Sequence, residues 1–141
     1  MTDLRTIPLI EPARGVTEDM IRRLVGTFYE RVLRDPELGP IFRQKLSHRW
    51  GEHLAIMVDF WSSALRGTAR FRGTPMPKHI ALPGLTAELF RRWLALFRQT
   101  TAALANEPMR DRANDLAGRI ADSLWYGYQS SRKADTMAGP L

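Results

Sequence analysis

The chain contains no cysteine. That absence excludes disulfides, iron–sulfur clusters, thiolate-ligated haem and cysteine zinc sites together, and it leaves histidine as the only strong nitrogen ligand for a metal. Histidine is itself scarce, since only His48, His53 and His79 occur in 141 residues. No apolar run approaches the about 18 uninterrupted residues that mark a membrane-spanning helix. The stretch from Met1 to Gly15 has its short apolar run broken by Pro8, Glu11 and Pro12. It also lacks the basic start and small-residue cleavage site of a signal peptide, so a soluble cytoplasmic protein is expected. At this length one domain with a single core is expected.

Acidic residues are outnumbered, giving a formal charge of +6 and a pI near 10.5. Such a balance favours anionic partners, whether nucleic acid or an acidic protein face. Most arginines alternate with carboxylates along helical segments, as in Arg110-Asp111-Arg112, which reads as solvated surface. One stretch differs: from Phe60 to Ala87 there is no Asp or Glu, while Arg66, Arg70, Arg72 and Lys78 all fall inside it.

Strand-like alternation is almost missing, and glycine and proline divide the chain into helical segments, so the fold class is all-α. The first helix is expected from about Thr17 to Arg34. Thr17 is its N-cap, Glu18 and Asp19 occupy the first turn, Arg31 and Arg34 the last, and Asp35-Pro36 stops it. Ile21, Leu24, Val25, Phe28, Tyr29 and Val32 form its apolar stripe. Leu38 to Phe42 should hold a short tight helix that turns Ile41 and Phe42 inward. A helix from near Ser47 to Gly67 should bury Trp50, Leu54, Met57, Phe60 or Trp61, and Ala64. The following helix, about Thr86 to Ala105, carries Leu89, Phe90, Trp93, Leu94, Phe97 and Leu104 inward. The last, about Met109 to Ser131, carries Leu116, Ile120, Leu124 and Tyr128. Residues 1–15 read as a flexible arm, 16–131 as the folded domain and 132–141 as a flexible tail.

His79 stands in an irregular Pro/Gly-punctuated stretch between two of these helices, in Pro75-Met76-Pro77-Lys78-His79-Ile80-Ala81-Leu82-Pro83-Gly84. Prolines on both sides restrict the backbone, which suits a metal ligand held in one geometry; a histidine on a surface loop is the plainer alternative. Tyr29, His53 and Trp93 fall on the inward faces of three other helices. Each could equally be a core residue or, for His53, a helix-boundary residue reaching solvent.

These residues sit in strings that together resemble a known family. They are Phe28-Tyr29-Glu30-Arg31-Val32, Asp35-Pro36-Glu37-Leu38-Gly39-Pro40-Ile41-Phe42, Trp50-Gly51-Glu52-His53, Asp59-Phe60-Trp61, Gly73-Thr74-Pro75 leading to His79, and Phe90-Arg91-Arg92-Trp93-Leu94-Ala95-Leu96-Phe97. In this order and at these separations they resemble the group III truncated haemoglobins, over about Val16 to Ser131. The resemblance implies a truncated globin fold, a two-over-two helical sandwich around haem b. It makes His79 the proximal ligand of the iron and Tyr29, His53 and Trp93 the residues facing the bound ligand. In that reading His53 either hydrogen-bonds the ligand or swings as a gate. Phe28, Phe42, Met57, Phe60, Leu82, Phe90, Phe97 and Ile120 become candidates for the haem wall, and Arg70, Arg72 and Lys78 for pairing with the propionates. Phe71 departs from the pattern, because a tyrosine is expected there in many relatives and its hydroxyl contact is missing.

Function then divides. Reversible binding of oxygen or another small ligand such as nitric oxide, carbon monoxide or cyanide is the leading expectation. A redox enzyme acting on nitric oxide or peroxide is the alternative. It would need an external reductase, since the chain has no flavin- or nicotinamide-binding segment, and an acidic donor could dock on the basic stretch. A haem-free basic helical protein binding nucleic acid is more remote, because the aromatics concentrate on inward faces and no separate basic recognition helix is present.

Overall fold

The structure is a computed structural model that describes residues 15–46, 48–71 and 84–138, with side chains as far as residue 132. His79, Arg72, Lys78 and Leu82 lie outside the described residues. Among those described there are five α-helices and no strand: α1 (Glu18–Arg34), α2 (Leu38–Leu46), α3 (Trp50–Arg66), α4 (Ala87–Leu104) and α5 (Glu107–Ala138).

Local chemistry sets most of the ends. Thr17 caps α1 by accepting the Met20 amide at 3.2 Å, and Thr86 caps α4 by accepting the Leu89 amide at the same distance. Asn106 does the same for α5 through Met109, at 3.0 Å. Gly67 ends α3 with φ +71, a left-handed cap that glycine adopts without a Cβ clash. The turn from α1 into α2 is tighter than the sequence suggests. A Cβ on Gly39 would run into the Leu33 backbone carbonyl, so only glycine lets the two helices fold back at that corner.

α1 packs on α3, and α4 on α5; the pairs cross chiefly through α1 against α4, with α3 against α5 beside it. This is a sandwich of two helix pairs. The α1 stripe Ile21, Leu24, Val25, Phe28, Tyr29 and Val32 is wholly buried, and α5 buries Met109, Ala113, Leu116, Ala117, Ile120, Leu124 and Tyr128, packing chiefly on α4. Burying one such Leu, Ile or Phe contributes about 1.5–3 kcal/mol, so these two stripes dominate the core.

Several elements depart from expectation. α2 is a full nine-residue helix running on to Leu46, and it buries Leu38 and Gly39 while Ile41 and Phe42 stay half-buried. α3 begins at Trp50 rather than near Ser47. It buries both Phe60 and Trp61, because its C-terminal half is covered on two sides: Trp61 stacks on Phe97 of α4 at 4.9 Å and Phe60 meets Phe71 edge-on at 5.0 Å. Leu104, expected inward, is half-buried at the end of α4. The last helix continues to Ala138, past the expected end near Ser131.

Candidate functional site

Two apolar stripes are left incompletely covered. On α3, Trp50, His53, Leu54 and Met57 share one face at helical spacing and all are half-buried, whereas Phe60, Trp61, Ala64 and Leu65 further along are closed in. On α4, Phe90, Trp93 and Leu94 are half-buried while Phe97, one turn on, is only 1 % exposed. Phe42 of α2 joins them. Large apolar side chains that fold inward yet lack full cover among the described residues outline a place for an apolar group.

Tyr29 stands at the centre of this face. Its ring is 4.8 Å from that of His53, 5.9 Å from Trp50 and 6.0 Å from Phe42, all by centroid. It also meets Phe28 at 4.8 Å, and Phe28 in turn touches Trp93 edge-on at 5.3 Å. The structure therefore brings Tyr29, His53 and, through Phe28, Trp93 into one aromatic cluster drawn from α1, α3 and α4. Tyr29 is 4 % exposed, and burial alone pushes its phenol pKa well above the ordinary tyrosine value. The hydroxyl is a donor that tyrosine's ordinary pKa already keeps neutral at physiological pH, and burial widens that margin.

The wall candidates separate into two groups. Phe28, Phe60, Phe97 and Ile120 are fully buried among other core side chains; Phe28 touches Trp93 and Phe97, and Trp61 stacks on Phe97. Phe42, Met57 and Phe90 retain exposed surface on the uncovered face.

Part of the basic stretch is paired in the fold. Its sequence lacks acids, but α1 and the body of α3 supply them: Arg70 pairs with Glu18 at 2.7 Å and Asp59 at 3.4 Å, and Arg66 reaches Glu18 at 3.5 Å and the Val16 carbonyl at 3.2 Å. The Arg70 hydrogen bond holds the Glu18 carboxyl below its usual range. These two arginines tie the start of α1 to the end of α3, and Arg70 already has carboxylate partners in Glu18 and Asp59. Phe71, where a tyrosine is expected, packs its ring on Phe60 and donates its amide to Ser63 Oγ at 2.8 Å.

Three features escape sequence reading. Trp50 belongs to the Tyr29 and His53 cluster, although spacing shows it only as a core residue. Asp35, read as a helix stop, is buried against Arg92. Tyr128 accepts the Leu85 amide at 3.2 Å through its hydroxyl, fixing the approach to α4, while its ring stacks with Trp125. The i, i+3 spacing of Trp50 and His53 is the available signal for the first; the other two join residues too distant in the chain to be paired by spacing.

A buried phenol, an imidazole and an indole gathered beside half-covered apolar stripes, in a sandwich of two helix pairs, define a haem-binding globin. The residues fit that group: haem is a flat apolar macrocycle, the uncovered face is apolar, and the phenol buried beside it is a donor. Residues 14–124 match the family model described as bacterial-like globin, and the chain belongs to that family. It is 34 % identical over 120 residues to a group 3 truncated hemoglobin of Campylobacter jejuni, covering 79 % of this chain and 94 % of that one. The crystal structure of the group III truncated hemoglobin from Campylobacter jejuni superposes with a TM-score of 0.73 at 32 % identity, covering 81 % of this chain and 92 % of that one. The all-helical frame is thus a truncated globin fold. No helix among the described residues is long and apolar enough to cross a membrane.

Proposed function

We propose that the chain holds haem b through His79 and reversibly binds oxygen or a similar diatomic ligand beside Tyr29, His53 and Trp93. The observation that carries this reading is the Tyr29 cluster, a buried phenol ringed by His53, Trp50 and Phe42. Haem, when bound, would supply the iron at which the diatomic ligand is held. The chain supplies everything else. Tyr29 Oη and the Trp93 indole N–H are donors for a ligand that carries partial negative charge, and each is worth about 1–2 kcal/mol in a dry site. Phe42, Leu54, Met57 and Phe90 exclude water, which strengthens those hydrogen bonds. His79 would hold the iron through a neutral imidazole whose other N–H is kept by an acceptor. Arg72 and Lys78 remain the sequence candidates for the propionates, Arg70 being paired with Glu18.

The redox-enzyme reading needs an external donor. Within the basic stretch of Arg66, Arg70, Arg72 and Lys78, the first two already pair with Glu18 and Asp59, and no observation favours this reading over ligand binding.

The test is haem titration of the purified protein followed by its absorption spectrum. The wild type and His48→Ala are expected to give a Soret band with one haem per chain, and His79→Ala to lose it or bind far more weakly. An unchanged Soret band in His79→Ala overturns the ligand assignment.

A further inference from the structure

Asp35 makes no contact with the Tyr29 cluster, yet it is the best-connected carboxylate in the described structure. Both its oxygens lie 2.7 Å from Arg92 Nε, Oδ1 also accepts the amides of Glu37 and Leu38 at 2.9 Å, and its backbone carbonyl accepts the Gly39 amide at 2.9 Å. The side chain is buried, and one residue therefore ties the end of α1 and the start of α2 to the middle of α4. Removing a carboxylate from water costs free energy, and the arrangement is sustained because both oxygens are engaged by donors. A helix stop alone would need none of the α4 contact.

What that contact fixes is orientation. Arg92 and Trp93 are neighbours on α4, where successive side chains are about 100° apart, so pinning the first sets the direction of the second. α1 carries Tyr29 six residues before Asp35. The pair thus couples the two helices that bring Tyr29 and Trp93 together. Trp93 is held on its other side by stacking on Phe97, 5.7 Å away with planes 10° apart, and by the edge contact with Phe28. Those contacts fix the plane of the ring; rotation of α4 about its own axis decides where the indole N–H points.

We propose that Asp35, acting through Arg92, is a positioning residue that aims the Trp93 indole at the ligand beside Tyr29. This rests on the reading that Trp93 is a distal donor. The experiment is a double-mutant cycle on the haem-loaded protein with Asp35→Asn, Trp93→Phe and both together. It reads oxygen dissociation from the ferrous form and the carbon–oxygen stretching frequency of the carbon monoxide complex. Asparagine keeps an oxygen for the Glu37 and Leu38 amides and removes the nearer charge on Arg92, leaving Glu37 at 4.0 Å.

Asp35→Asn alone is expected to speed oxygen release by about 3-fold or more and to shift the stretch in the direction that Trp93→Phe shifts it. In the Trp93→Phe background it should change neither. An equal effect in both backgrounds overturns the positioning role while leaving the distal reading intact. No effect of Trp93→Phe itself overturns the distal reading and this inference with it. Should Asp35→Asn fail to fold, Arg92→Gln enters the same cycle with the same expected and overturning results.

Discussion

Tyr29 and His53 meet edge to face, with ring centroids 4.8 Å apart and planes at 88°. The contact joins α1 to the half-covered end of α3, and it puts a phenol with a raised pKa next to the ring that the sequence offers as either donor or gate. Two consequences separate. If the Tyr29 hydroxyl donates to the ligand with about 1–2 kcal/mol, Tyr29→Phe should speed oxygen dissociation by roughly 5- to 30-fold. Removing the hydroxyl also removes a pH dependence. A phenol whose folded pKa lies above its unfolded value near about 10 contributes stability below that pH and loses it as pH rises further. Wild type should therefore lose stability relative to Tyr29→Phe above about pH 10 in denaturant titrations. An off-rate within error of wild type would remove Tyr29 from the distal donors.

His53 is enclosed by Tyr29 at 4.8 Å, Trp50 at 5.6 Å and Phe42 at 6.3 Å. A swinging imidazole would have to slide past those rings, so access to the site depends on them as much as on His53. His53→Ala and Trp50→Ala should both raise the carbon monoxide association rate, while haem affinity, set on the His79 side, changes little. Stopped-flow association that matches wild type in both variants would show that ligands reach the site by another route.

How far the sequence carries can be judged from particular residues. The α1 stripe and its Thr17 cap are readable because each depends on neighbours three or four positions away, and the structure keeps both. Tyr29, His53 and Trp93 are legible as inward residues for the same reason, and the family strings supply their grouping. The fate of Arg70 is not legible: its partners Glu18 and Asp59 stand 52 and 11 positions back in the chain, so an acid-free stretch of sequence becomes a paired surface in space. For Phe60 and Phe97 spacing shows only that they point inward, without saying whether another side chain or an apolar group covers them.

Gly39 supports a sharper expectation. Its missing Cβ is what allows the backbone of α2 to lie against the Leu33 carbonyl, and the atom it would strike is main chain that cannot swing aside. Gly39→Ala should cost about 1–3 kcal/mol, the range for forcing an extra carbon into a packed site. Gly26, exposed midway along α1, is the control, since a Cβ added there would meet nothing within 4 Å. At that position alanine should stabilise by about 0.5–1 kcal/mol through helix propensity. Thermal unfolding of the two variants should move in opposite directions; a shared direction would refute the tight-corner account of the α1–α2 turn.

Acid sensitivity follows from Asp35. Burial pushes its carboxyl upward, but the Arg92 guanidinium and the amides of Leu38 and Glu37 together outweigh that and hold its pKa below the ordinary value. A carboxyl depressed in the folded state contributes stability above its unfolded pKa of about 3.9, and that contribution is lost as pH falls through the folded value. The expected window thus lies at and below about pH 4. The informative quantity is the difference between wild type and variant. Asp35→Asn should be less stable than wild type at neutral pH, where the charged pair is intact, and the gap should close as pH falls, because acid neutralises in the wild type the same charge that the substitution deletes. Urea unfolding from pH 7 to pH 3 on both proteins gives that difference directly. A gap that stays constant across the range would mean that Asp35 stabilises the corner through its hydrogen bonds to the α2 amides, with no contribution from its charge on Arg92.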